Sequence, residues 1–164
     1  MSISIKRLMD VISKRTISFL DDEMNIQVDR QDIKLVSNNR LELAYLTALV
    51  TVDSAPHIFV IFSYEKELMD RIFEAYTEEL DILEEERVEY IAETAGDVLN
   101  IIVGNSIPEC HDGDAISLSP PIVISSAESI AKSRNVKFFV NDLHTVYGNM
   151  RIFCVCPNEL FGTY

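Results

Sequence analysis

The sequence has no tryptophan and, in 164 residues, only five glycines, five prolines and three cysteines. So few glycines argue against a loop that cradles phosphate, and neither a P-loop nor a G-x-G-x-x-G fingerprint occurs. The G-x-S-x-G nucleophile elbow is missing as well. An odd number of cysteines without framework spacing argues against a disulfide scaffold and predicts reduced thiols. Positive charge is scarce: 14 Lys and Arg stand against 27 Asp and Glu, a net charge of −13. A field of that sign repels nucleic-acid phosphates and anionic membrane surfaces. No apolar run approaches the roughly 20 residues of a membrane-spanning helix. Met1 is followed by Ser-Ile-Ser-Ile-Lys-Arg, which lacks the apolar core of a signal peptide. The expectation is a cytoplasmic protein that binds neither nucleic acid nor membrane.

What is present is apolar: 48% of residues are hydrophobic. With this length, that suffices for one domain with a full core, residues 1–164. Residues 3–20 read as an amphipathic helix, with Ile5, Leu8, Met9, Ile12, Ile17 and Leu20 on one side and Lys6, Arg7, Lys14 and Arg15 on the other. Packing on a sheet explains it better than a membrane anchor. Residues 25–40 are polar, with a short strand at Ile33–Val36 and a turn at Asn38-Asn39. Residues 41–52 and 57–64 read as a hairpin around Ser54-Ala55-Pro56, the second strand apolar enough to be buried on both faces.

A helix over 65–79 presents Leu68, Met69, Ile72, Phe73 and Tyr76 to the core. Asp81 with Glu84 resembles a capping box, so the next helix is expected to start near Ile82 and stop before Pro108. Beyond it come a polar loop, a strand over 116–124 whose Pro120-Pro121 imply an edge strand or the end of one, a helical turn over 128–135, and strands at 136–141 and 150–156. The order predicts an α+β fold: an antiparallel-rich sheet with long helices packed on one face.

The long helix organises the chain. At about 100° per residue, Val88, Ile91, Ala95, Val98 and Ile102 form a core stripe. Glu89, Glu93, Gly96, Asp97, Asn100 and Gly104 form a thin polar ridge opposite. Each glycine costs about 0.8–1 kcal/mol relative to Ala in a helix interior. Asp and Asn are poor interior residues too, since their side chains compete for backbone groups. A bare backbone lets another surface come close. The spacing alone fits a docking face, with Glu93, Asp97 and Asn100 between two flat spots, and fits an ordinary solvated face as well. If it docks, a carboxylate one turn from a carboxamide can position a water or grip a partner's ammonium, and positioning accounts for most catalysis in phosphoryl transfer.

Other candidates are weaker. Cys110, His111 and Asp112 are adjacent and cannot turn together toward one metal, while Cys154-x-Cys156 in a strand points both thiols to one side. His57 and His144 stand alone in the sequence. No metal site is expected.

The segment Asp97-Val98-Leu99-Asn100-Ile101-Ile102-Val103-Gly104-Asn105-Ser106 resembles the signature helix of the CheX/CheC family of chemotaxis response-regulator phosphatases. There an acid is followed three residues later by Asn, an apolar run, Gly and a small residue, with another polar residue one turn earlier, here Glu93. Ser117-Leu118-Ser119-Pro120-Pro121-Ile122-Val123 resembles the family's proline-bearing strand. The resemblance implies a CheC-like fold and hydrolysis of the aspartyl phosphate of a CheY-like receiver. Asn100 aligns the attacking water and Asp97 contacts the receiver's lysine. Glu93, Gly96 and Gly104 line the docking face. The chain needs no cofactor of its own, Mg²⁺ belongs to the receiver, and homodimers form by sheet pairing. The family's acid is usually Glu. Asp97 is one methylene shorter, which leaves open a non-catalytic receiver-binding module.

Overall fold

The structure is a computed structural model that describes residues 3–113 and 115–156. Its elements are α1 (Ile5–Met24), β1 (Arg30–Glu42), β2 (Leu46–Val52), β3 (Ile58–Tyr64), α2 (Lys66–Tyr76), α3 (Arg87–Cys110), β4 (Ile122–Ser125), β5 (Ser129–Thr145) and β6 (Gly148–Val155). Among the described residues the strands form one six-stranded sheet in the order β1-β5-β6-β3-β2-β4. Every pairing is antiparallel. The fold is α+β, with the three helices packed on one face of the sheet, as its main core shows.

Local chemistry explains most boundaries. Ser4 caps α1 by accepting from the Arg7 N–H, and Asn25 ends it in the left-handed conformation. The alternation of β2 and the apolar run of β3 make the expected hairpin, Val50 opposite Val60. β3 lies between β6 and β2, and six of its seven residues are buried, the burial expected of a central strand. β4 is an edge strand entered through Pro120 and Pro121, as the prolines require.

The helical face of the sheet carries the main core, in which Leu8, Met9, Ile12, Phe62, Tyr64, Leu68, Ile72, Leu99 and Ile152 are all fully buried. Each such side chain contributes about 1.5–3 kcal/mol relative to an exposed one. A second cluster of Leu41, Ile61, Val136, Phe138, Val140, Phe153 and Val155 sits apart from it. The rings of Phe138 and Phe153 lie 5.9 Å apart there.

Several expectations fail. β1 runs from Arg30 to Glu42, not Ile33–Val36 alone, so residues 41 and 42 end this strand and do not begin the hairpin. Nearly all of β1 is exposed on both sides, which erases the alternation that marks a half-buried strand. The polar segment 128–135 extends β5 and forms no helical turn, because the end of β1 pairs with Ser129, Ile130 and Ala131. The connector read across 141–149 shrinks to Val146-Tyr147.

Acidic groups and a backbone carbonyl meet the basic side of α1. Arg7 donates to the Glu109 carbonyl at 2.8 Å, Arg15 pairs with the Glu109 carboxylate, and Lys6 pairs with Asp10. Among the described residues no helix is long and apolar enough to cross a membrane.

Candidate functional site

α3 is built in two halves. Its buried side is Ile91, Ala95, Val98, Leu99, Ile102 and Val103, all but Ile91 within 2% of complete burial. Val88 was expected to continue that stripe but is 81% exposed, since it lies in the first turn where no element covers it. The helix begins at Arg87, after a short 3₁₀ turn at Glu84–Glu86, and Asp81 does not cap it. It continues through Pro108 to Cys110. The proline is tolerated because it lies two residues from the helix end, where only the bond to the Gly104 carbonyl is lost.

On the other side Glu93, Asp97, Asn100 and Gly104 are exposed. Helical spacing puts Glu93 one turn before Asp97 and Asn100 three residues after it, so the three side chains are neighbours. Asn100 makes no side-chain hydrogen bond among the described residues. Its amide therefore keeps both donor and acceptor for a partner.

The two glycines serve different ends. Gly96 is buried: a Cβ there would meet Pro121 Cγ at 3.2 Å and Cβ at 3.3 Å. The close approach that glycine permits is made by the chain's own proline. Gly96 therefore leaves the open docking face to which it was assigned. Gly104 is exposed, and a Cβ there would meet only Leu118 Cδ1 at 3.8 Å. The segment before β4 thus lies along α3 with Leu118 by one glycine and Pro121 on the other. Beyond Asn100 the face opens into a groove of about 540 Å³ lined by Asn100, Gly104, Ile107, Pro108, His111 and Leu118.

One contact on this face escaped the sequence. Tyr76, expected in the core, is 37% exposed, and its hydroxyl donates to Asp97 Oδ2 at 3.3 Å. Burial raises the Tyr76 pKa above 10.0, and the Asp97 charge and hydrogen bond raise it further. The hydroxyl stays a donor through the neutral range. The signal available was its place at the end of the apolar stripe of α2, where an amphipathic ring reaches solvent.

The remaining candidates stay apart. His57 Nδ1 lies 3.1 Å from Asp53, and Ser117 donates to the same carboxylate at 3.3 Å, but all three are exposed and the Ser117 hydroxyl bonds Asp53, not His57. Cys154 and Cys156 are both buried, and burial raises the Cys154 thiol pKa strongly. Among the described residues no group of three or more His, Cys, Asp or Glu is arranged to hold a metal ion.

Residues 46–144 match the sequence model of the family described as chemotaxis phosphatase CheX, and this is more than half of the chain. The chain belongs to the CheX family. No curated protein matches it. A CheX chemotaxis protein from Desulfovibrio desulfuricans shares the fold with a TM-score of 0.74 at 16% identity, over 91% of this chain and 98% of that one. CheX from Vibrio vulnificus aligns with a TM-score of 0.65 at 12% identity, over 94% and 99% of the two chains. The CheX-CheY-BeF3-Mg²⁺ complex from Borrelia burgdorferi aligns with a TM-score of 0.66 at 18% identity, over 93% and 96%. At these identities the likeness is one of fold. The CheX match covers β2 to most of β5, with α3 and its exposed face inside it.

Proposed function

We propose that this CheX-family chain hydrolyses the aspartyl phosphate of a CheY-like receiver domain and that the exposed side of α3 is its docking edge. The observation that carries the reading is the Asn100 carboxamide: exposed and unbonded, on a 24-residue helix whose opposite side is locked in the core. The family's description as a chemotaxis phosphatase supports it, as does the Borrelia complex, in which CheX is found with CheY.

In this reading Asn100 enters the receiver's active site and its amide oxygen accepts a hydrogen bond from the attacking water. The water oxygen forms a bond to phosphorus as the bond from phosphorus to the aspartyl oxygen breaks. The electron pair of that bond returns to the receiver's carboxylate, and the water's two protons leave with inorganic phosphate as dihydrogen phosphate or by exchange with solvent. Asp97 accepts from the receiver's lysine ammonium, which fixes the two surfaces in register. Glu93 adds negative charge one turn away. Mg²⁺ belongs to the receiver, where it neutralises phosphoryl oxygens. The chemistry asks for position more than reactivity, which suits a carboxamide on a rigid helix.

A second reading is a non-catalytic module that binds the receiver through the same face. The Asp97 carboxylate favours it, being shorter by one methylene than the Glu usual in the family. A misplacement of about 1 Å can cost on the order of 100-fold in rate. Phosphate release from a phosphorylated CheY-type receiver separates the two. On the first reading Asn100→Ala lowers release about 100-fold or more, and equality with wild type refutes it. Binding without turnover, in wild type and in Asp97→Glu, supports the module.

The reading places the protein in the cytoplasm as a homodimer. The pairing edge is β1, whose outer side has no strand partner among the described residues and which exposes Ile33 at 38% and Leu35 at 58%.

A further inference from the structure

The exposed side of α3 holds one carboxylate that another element has already engaged. Tyr76 ends α2, and its hydroxyl reaches Asp97 Oδ2 at 3.3 Å, long for a hydroxyl–carboxylate bond. The other large residues of that stripe, Leu68, Met69, Ile72 and Phe73, are almost fully buried, while the Tyr76 ring is 37% exposed. Core packing therefore does not account for its direction. Arg87 and Phe73 fix the junction behind it, the guanidinium lying 4.8 Å from the ring centre. Among the described residues neither Glu93 nor Asn100 makes a side-chain hydrogen bond or ion pair, so Asp97 alone of the three is tethered before any partner arrives.

We propose that Tyr76 is a positioning residue for Asp97: its hydroxyl holds one carboxylate oxygen so that the other faces the receiver's ammonium. This rests on the reading of α3 as the docking edge. An aspartate on a helix surface samples several rotamers when free, and ordering it at docking weakens binding. A phenol anchored on a neighbouring helix removes that freedom in advance. Tyr76 bonds Oδ2, which leaves Oδ1 as the free acceptor.

The test is a double-mutant cycle, because a structural role and a positioning role differ in coupling. Tyr76→Phe keeps the ring and its packing and removes only the donor. Phosphate release, and affinity for a CheY-type receiver loaded with beryllofluoride and Mg²⁺, are measured for wild type, Tyr76→Phe, Asp97→Ala and the double variant, with Asn100→Ala alongside. The expected result is that Tyr76→Phe weakens affinity about fivefold in wild type, the scale of one loose charge-assisted bond. It has no effect once Asp97 is Ala. Equal losses on both backgrounds, or no loss on either, overturn the assignment while leaving the docking reading intact. An Asn100→Ala variant that binds and turns over like wild type removes the docking reading and this assignment with it.

Discussion

Replacing Gly104 with Ala separates the stability of α3 from the use of its exposed side. The added methyl would lie 3.8 Å from Leu118 Cδ1, an ordinary contact, with no other heavy atom within 4 Å beyond its own stretch of helix among the described residues. Gly104 is exposed and helical, so nothing in the fold needs its bare backbone. Alanine is favoured over glycine in a helix interior by about 0.8–1 kcal/mol. The bond lost at Pro108 trims the gain, because the last turn is already weakened, and about 0.5–1 kcal/mol is expected. In a domain of this size 1 kcal/mol corresponds to about 2–4 °C in Tm. Thermal unfolding should therefore show an upward shift of a few degrees. Docking should move the other way. Residue 104 lies four residues after Asn100, and a methyl there holds a closely seated receiver roughly 1 Å off, enough to reduce phosphate release on the order of 100-fold. Gly96→Ala is the internal contrast: Pro121 already lies 3.2 Å from the added carbon, and its ring cannot swing away. There the displaced segment offsets the helical gain, and Tm should not rise. A stabilised Gly104→Ala that releases phosphate at the wild-type rate refutes close docking at this position, and a lowered Tm refutes the account of the helix.

Other outcomes follow from the same coordinates. The Tyr64 hydroxyl is fully buried without a hydrogen-bond partner among the described residues, and burial pushes its pKa far up. The folded state therefore keeps a proton that the unfolded chain loses above about pH 10, so stability falls as pH rises past that point, by about 1.4 kcal/mol per pH unit for this one group. Tyr64→Phe should remove that share of the slope in alkaline urea titrations and raise stability at pH 7 by about 1–2 kcal/mol, since no unpaired hydroxyl remains. A variant less stable than wild type at pH 7 contradicts the assignment. Light scattering should find a dimer that Leu35→Lys converts to monomer, and a monomeric wild type at high concentration rules out pairing through β1.

The parts of the fold that bury one side of an element were legible. Leu68, Met69, Ile72 and Phe73 announce α2, and the run from Ile58 to Tyr64 announces a central strand, because burial writes a period or an unbroken apolar stretch. The exposed acid–amide pair was legible for a different reason: Asp97 and Asn100 disfavour a helix interior, so their presence there asked for an explanation. Only the middle of β1, Ile33–Val36, was legible, since Gln31, Asn38 and Asn39 carry no apolar alternation and only backbone bonds to β5 make them part of the strand. Gly96 was misread because a bare backbone says that something comes close without saying what. Pro121 answers that question from 25 residues away, beyond the reach of local pattern. Tyr76 was lost to its own apolar ring, which completes the stripe of α2 as well as a core residue would.

The long ribbon of β1 and β5 bears on how the chain is made. Arg30 pairs with His144, 114 residues further on, and β1 has no other strand partner among the described residues. A nascent chain emerging from the ribosome must carry this early strand unzipped until β5 follows, with Ile33 and Leu35 open to any stray edge. Pairing at such sequence distance is slow and invites aggregation. The charges that flank those two residues, Arg30, Asp32 and Lys34, are well placed to keep the waiting strand from mispairing.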